Sequence, residues 1–351
     1  TFNNVQDTFK VRLVVVSKDQ IHCSGDTAFK EILINVAPPS SPGVTSGVDT
    51  VCKGSNSGTI VLAGNIGSPF WQSSTDGITF TNLGNNGQSY TYINLSVTTW
   101  FRAAVKSGVC DTVFSNPTKI TVFPPVTPAN AGVDISLCGA TSYQLNANVP
   151  GTNETGLWSL AATSPIATIN SASSPNTFIS NLVSNNNYQL IWTLSNNICP
   201  NTRDTVIIKN YLPLTNTIDT ATITVCNGVT VNVTGNMPIG GNTPYKYQWQ
   251  ILQGGNWNNL PNDTLINYSF LATTTIKIRR LVNATPCSDV SLEKTIYVQP
   301  PLSNNTINGN TQTCINTSPG VLTGSLPTGA DGNYTYLWQT GPSATGPWTN
   351  A

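Results

Sequence analysis

Three unrelated residue types return along this chain with one period, and that period limits the possible folds more than any composition does. Prolines stand at Pro39, Pro125, Pro213 and Pro301, spaced 86, 88 and 88 residues apart. Cys52, Cys138, Cys226 and Cys314 keep the same spacings, and a second set, Cys23, Cys110, Cys199 and Cys287, runs at 87, 89 and 88. Trp71, Trp158, Trp249 and Trp338 keep step within a few residues. Self-similarity at a fixed period marks repeated structural units, so the 351 residues form a tandem array. The prolines divide it into residues 1–39, 40–125, 126–213, 214–301 and 302–351, the first and last being parts of units. The chain starts at Thr1 without a leader and stops directly after "GPWTNA", and so reads as a piece of something longer.

Within a unit, helical periodicity is nearly absent and alternation is common. Tyr143, Leu145, Ala147 and Val149 alternate with polar neighbours, as do Tyr245, Tyr247, Trp249 and Ile251. Such segments are strands with one buried face. Units of about 88 residues, cut by Asn-Gly, Asp-Gly and proline turns, fit an all-β, Ig-like sandwich of about seven strands. The tryptophan strand follows the first cysteine by about 20 residues, where an indole plugs the sandwich core; a sugar-stacking platform is the other reading. Units two, four and five share "WQSSTDGITFTNL", "WQILQGGNWNNL" and "WQTGPSATGPWTNA", a Trp-Gln strand and a hairpin ending in an aromatic and then Asn. Unit three, with "GLWSLAATSPIATI", departs from this, so two sandwich subtypes are expected.

Charged residues make up only 9% of the chain, 15 acidic against 15 basic. An average soluble domain carries roughly 25%. No basic run supplies the charge that nucleic-acid binding needs, and no apolar run reaches the roughly 18 residues that would span a bilayer. Neither nucleic acid nor direct membrane insertion is expected.

Eight cysteines beside one histidine read as disulfides in an oxidising exterior rather than as metal ligands. The simplest count pairs them within repeats, Cys52 with Cys110, Cys138 with Cys199 and Cys226 with Cys287, leaving Cys23 and Cys314 to partners outside the fragment. Geometry objects, because the two cysteines of a repeat lie in turns at opposite ends of a sandwich, beyond the roughly 7 Å Cα limit for a bridge. The alternative joins successive repeats, Cys52 to Cys199 and Cys138 to Cys287. Within-repeat pairing is the expectation, with this alternative beside it.

Catalysis finds little to use. His22 stands alone beside Cys23, with Glu31, Glu154 and Glu293 as the three glutamates, and no nucleophile, zinc or phosphate-loop constellation occurs. The segment reads as non-enzymatic. Calcium could rigidify such an array, but Asp76 and Asp331 are single acids in turn sequences, which turn chemistry explains. No cofactor is expected.

The run "DTVCKGSNSGTIVL", "WQSSTDGITFTNL", "TTWFRAAVKSGVC" and "SNPTKITVFPP" resembles the Ig-like repeats of giant Bacteroidota cell-surface proteins, including gliding-motility adhesins exported by the type IX system. Unit three and the first unit's tail, with "FKVRLVVVS", look more like the related PKD type. The resemblance covers essentially the whole chain and implies an extracellular stalk of stacked domains, each on the order of 30 Å long. Its partners would be neighbouring repeats, surface polysaccharide or other copies of itself. The alternative is a carbohydrate-binding or accessory region of a large secreted enzyme, which would need Phe80, Trp257 and Trp348 exposed along one side. The resemblance also implies O-glycosylation at Asp-Thr-aliphatic tripeptides, on Thr27, Thr50, Thr112, Thr205, Thr220 and Thr264. An aspartate turn followed by a β-branched strand start explains the same tripeptides without sugar. Asparagine sequons such as those at Asn94 and Asn153 carry no such signal.

Overall fold

Strands form in this chain where β-branched and aromatic residues alternate with polar ones. In Ser57–Ile66, Ile60 and Leu62 are buried while Val61 between them faces solvent. The computed structural model describes residues 5–17, 27–261, 263–309 and 311–351, and among these every regular element is a β-strand.

Between residues 41 and 123, one sheet joins Thr50–Cys52, Thr118–Phe123, Thr99–Lys106, Ser68–Ser74 and Thr81–Asn82 in that order. The facing sheet joins Ser41–Ser46, Ser57–Ile66 and Ser89–Ile93. Ile60, Leu62, Trp71, Tyr92, Phe101, Val105 and Ile120 fill the space between them. The same order returns further on: Ile223–Cys226, Lys294–Gln299, Ile276–Ala284, Lys246–Gln253 and Asn256–Asn259, faced by Val229–Val233 with Tyr268–Ala272. These are Ig-like sandwiches. Trp71, Trp158 and Trp249 are all core residues, at most 2% exposed.

The intervening repeat is built differently, as its sequence implied. Ile135–Cys138, Thr202–Tyr211, Asn186–Ser195 and Thr155–Leu160 form its larger sheet, which ends at the tryptophan strand with no hairpin partner beyond it. The short strand Thr168–Ile169 instead joins the opposite sheet through Phe178–Ser180. Trp158 lies opposite Trp192 in register, with ring centroids 5.1 Å apart, so two indoles fill this core.

Near the start of the chain Phe9–Val16 and Thr27–Ile34 pair antiparallel, with Leu13 and Phe29 more than 60% exposed. Among the described residues of 302–351 the paired strands are each two residues long, and Trp338, expected in a core, is 42% exposed beside a cavity of about 450 Å³.

One feature sets the ends of each sandwich. The first-cysteine strand runs parallel to the last strand of its repeat, so Cys52 lies opposite Phe123, Cys138 opposite Tyr211 and Cys226 opposite Gln299. Each of these cysteines therefore sits where the chain leaves its domain.

A buried cation also stands in the fourth repeat. Arg280 is fully buried, and its Nε and Nη2 donate to Asn216 Oδ1 at 2.9 and 2.8 Å. The carbonyls of Ile266, Thr217 and Asn236 accept the remaining bonds. Burying the charge is tolerable only because every nitrogen is occupied. Arg280→Ala should strand Asn216 and three carbonyls, lowering the stability of this repeat by about 3 kcal/mol. Chemical denaturation of the variant beside the parent chain checks this.

Candidate functional site at the junctions between repeats

The side chains with the most connected chemistry lie at the proline linkers. Cys52, at the exit of one sandwich, is bonded to Cys199 in the turn at the entry of the next, with Cα atoms 5.0 Å apart. Cys138 is bonded to Cys287 in the same way, at 5.3 Å. The within-repeat pairs expected from the simplest count do not form, and Cys110 and Cys226 carry free thiols, as does Cys314. The reason is the parallel register: the first cysteine is held at the exit end and the second in a turn at the entry end, so a repeat cannot bring its own two together. Cys23 lies outside the described residues.

The bridges have company. Cys52 and Phe123 pack on the core of the following repeat. Asn196 Nδ2 donates to the carbonyl of Pro124 at 3.3 Å. Glu154 accepts hydrogen bonds from the Thr127 and Gly151 amides at 2.7 and 2.8 Å and from the Thr127 hydroxyl at 3.2 Å, tying the linker to its new domain. Burial pushes the Glu154 carboxyl up, but these three donors outweigh it and hold it below the usual carboxylate range.

At the next junction the Gly241 amide donates to Leu212 O at 2.8 Å, and Tyr245 Oη donates to Gly240 O at 3.0 Å. Gly240 has φ of +88°, and a Cβ there would stand 2.2 Å from the carbonyl oxygen of Pro213, so only glycine fits. The junction after residue 299 repeats the device, with Ala330 N on Pro300 O at 2.8 Å and Tyr334 Oη on Gly329 O at 2.7 Å. Sequence reading missed this clasp, although a glycine five residues before a tyrosine, in both repeats, was there to be seen.

Cys110 occupies the matching place at the first junction. Its Sγ lies 3.8 and 3.6 Å from the carbonyl oxygens of Ala37 and Pro38, as Cys199 Sγ lies by those of Phe123 and Pro124. Cys226 matches Cys52 and Cys138 in register.

The other sequence candidates are scattered. Glu31 pairs with Arg12, Glu293 pairs with Lys277 at 2.6 Å, and Glu154 clasps a linker; none faces another carboxylate as an acid and base would. His22 lies outside the described residues. Asp76 Oδ1 accepts from the Ser74 hydroxyl at 2.6 Å and from the Ile78 and Thr79 amides at 2.8 Å each, a turn cap. The Ser74 hydroxyl first, then those amides, hold its carboxyl far below the ordinary range. Asp331 caps a turn through the Asn333 amide at 3.0 Å. Among the described residues no group of three or more His, Cys, Asp or Glu is placed to hold a metal ion.

None of the six threonines is buried: Thr27, Thr220 and Thr264 are exposed, and Thr50, Thr112 and Thr205 half-exposed. Among the described residues three of their aspartate carboxylates have hydrogen-bond partners, and Asp49 accepts from the hydroxyl of its own Thr50 at 3.3 Å. Asp204 accepts from the Ala131 amide at 2.7 Å, and Asp219 accepts from buried Lys294 at 2.9 Å and from the Ala221 amide at 3.0 Å. Phe80 and Trp257 are half-buried beneath arginines, with guanidinium carbons 3.9 and 4.3 Å from their ring centres, while Trp348 is 52% exposed.

Residues 41–124 match a family described as a domain of unknown function, DUF8696. No curated protein matches the chain. Among solved structures it is similar to extracellular domains 3–5 of Drosophila OTK, at 11% identity over 74% of this chain and 99% of that one, with a TM-score of 0.39. Three N-terminal domains of the bacteriophage RB49 Highly Immunogenic Outer Capsid protein match at 10% identity, over 75% and 99%, with a TM-score of 0.39. Immunoglobulin domains 1–5 of Sidekick-1 match at 13% identity, over 82% and 65%, with a TM-score of 0.37.

Two outcomes follow. Alkylation of the oxidised, denatured chain should label Cys110, Cys226 and Cys314 and spare Cys52, Cys138, Cys199 and Cys287; a Cys52–Cys110 peptide in a non-reducing digest would contradict the junction bridges. Glu154→Ala should cost about 1 kcal/mol after discounting for solvent screening. Because the folded Glu154 pKa is depressed, its contribution is complete at neutral pH and disappears as pH falls below the ordinary carboxylate value of about 4.3. Parent and variant stabilities, measured from pH 7 down to strong acid, should therefore converge at the acid end.

Proposed function

We propose that this chain is a segment of an extracellular stalk on a cell surface, a spacer of stacked Ig-like domains that carries load and holds other parts of its protein away from the cell. The observation that carries this reading is the covalent bridge across each proline linker between complete repeats. Linkers between stacked domains are where an array bends, and proline limits that bending only through φ. A second covalent tie beside the linker, with Glu154 or the glycine–tyrosine clasp next to it, removes a hinge motion that a binding module or an enzyme accessory has no need to remove. The disulfides fit an oxidising exterior, and the sequence resemblance supports a Bacteroidota surface adhesin exported by the type IX system. O-glycosylation of Thr27, Thr50, Thr112, Thr205, Thr220 and Thr264 belongs to the same reading, and each of these threonines has at least part of its surface in solvent. Neighbouring repeats are the first partners of each domain. The rival reading needs open aromatic platforms, and Phe80 and Trp257 instead lie against guanidinium groups.

The interlocked bridges have a mechanical signature. In the oxidised chain the covalent path runs from Thr1 to Cys52, crosses to Cys199, returns to Cys138, crosses to Cys287 and continues to Ala351, about half of the 351 residues. Pulled from its ends until every domain unfolds, the oxidised chain should reach about half the contour length of the reduced chain. Equal lengths in the two states would remove the basis for a stapled stalk. Labelling of intact cells from the native source with an antibody to these repeats tests the location.

A further inference from the structure

Away from the junctions, one arrangement of side chains occurs twice. Gln72 stands in register with Arg102 on one side and Asn82 on the other. Its Nε2 donates to Asn82 Oδ1 at 2.7 Å, and its Oε1 accepts from Arg102 Nε at 2.8 Å. Two repeats later Gln250 stands between Arg279 and Asn259 with the same two bonds, both at 2.8 Å. These side chains face outward, because Trp71, Phe101, Trp249 and Ile278 beside them in sequence are buried. In residues 302–351 Gln339 and Asn350 repeat the pairing at 3.2 Å.

Each guanidinium is also held by its face. Arg102 packs against the rings of Phe80 and Phe114, at 3.9 and 4.1 Å, and Arg279 against Trp257 at 4.3 Å. Stacking and the Nε bond fix the plane and leave the outer edge free. Among the described residues, Nη1 and Nη2 of both arginines have no hydrogen-bond or ion-pair partner. The contrast with Arg280 is direct, since every nitrogen of that neighbour is occupied. Asp76 is engaged in its own turn and Glu293 with Lys277.

A fixed guanidinium presenting two parallel N–H groups matches the two oxygens of a carboxylate or a sulfate, and stacking reduces both its hydration and the entropy lost on binding. The flanking amides add a donor, Asn Nδ2, suited to hydroxyls. We infer that the rows Arg102–Gln72–Asn82 and Arg279–Gln250–Asn259 are binding sites for oxyanions of an acidic polysaccharide. A polymer fits better than a single ion, because two weak contacts, one on each of two repeats, reinforce each other when one strand reaches both. A protein partner fits less well, since such interfaces rest on anchors buried in pockets and these rows lie on outer sheet surfaces. This inference goes beyond the stalk reading and does not depend on it.

The test uses the intact oxidised chain on surfaces coated with a polyuronate, a sulfated dextran and neutral dextran, read by interferometry at low and moderate salt. Binding to one or both acidic polymers and not to neutral dextran is expected, the tighter one naming the oxyanion. Arg102→Gln with Arg279→Gln should weaken it by at least about 10-fold, since each loses a charge-assisted pair. The double lysine variant, which keeps the charge and loses the fork, should weaken it similarly. Gln72→Glu with Gln250→Glu keeps both arginines and their stacks while supplying an internal carboxylate, and should also abolish most binding; thermal melting confirms that each variant is folded. Equal binding to neutral dextran, no binding to either acidic polymer, or parental affinity in the double lysine variant would overturn the inference. So would a parental dimer in sedimentation that the double glutamine variant dissolves, which would assign the forks to carboxylates of a second copy.

Discussion

The parallel pairing of the first-cysteine strand with the last strand of its own repeat is the constraint on which the rest of this architecture depends. It holds Cys52, Cys138 and Cys226 at domain exits, while the turn carrying the second cysteine stays at the entry. With the two thiols at opposite ends, the bridge has to cross the linker. If one repeat unfolds between folded neighbours, each of its bridges closes a loop of about 75 residues, worth on the order of 4–5 kcal/mol in the chain-entropy model. Domains of this size have only roughly 5–15 kcal/mol in all, so the stability of each repeat rests in good part on its neighbours.

Much of this was legible in the sequence because it is periodic. Trp71, Trp158 and Trp249 mark cores, the prolines mark linkers, and the missing hairpin of the third repeat shows in its divergent tryptophan segment. Disulfide partners were not legible in the same way, because periodic cysteines satisfy within-repeat and between-repeat pairing equally well and only strand direction separates the two. Arg280 and Arg279 are adjacent and identical in type, yet one is consumed by the core and the other stands open on the surface. Nothing local in the sequence announces that difference; it follows from the face of the strand each occupies. Trp338 shows the converse, a core residue by pattern that is left 42% exposed.

The scarcity of charge shapes how polar groups are used. Single aspartates and glutamates cap turns and clasp linkers, as Asp76 and Glu154 do, and ion pairs among the described residues are few: Glu31 with Lys10 and Arg12, Glu293 with Lys277 and Asp219 with buried Lys294. Bonds from amides to such carboxylates depend less on ionic strength than exposed ion pairs do. They also account for part of the Asp-Thr-aliphatic pattern: at Asp204 and Asp219 the aspartate serves the fold, whatever the threonine beside it carries.

The two bridges overlap, since the span from Cys52 to Cys199 and the span from Cys138 to Cys287 share residues 138–199. Together they cover every peptide bond from Cys52 to Cys287. A single proteolytic nick anywhere in that stretch therefore leaves the molecule in one piece, because the severed ends remain joined through at least one cystine. Within residues 138–199 the joining is double. For a filament exposed to the proteases of its surroundings, this redundancy means that damage to one loop loosens a domain without releasing what lies beyond it.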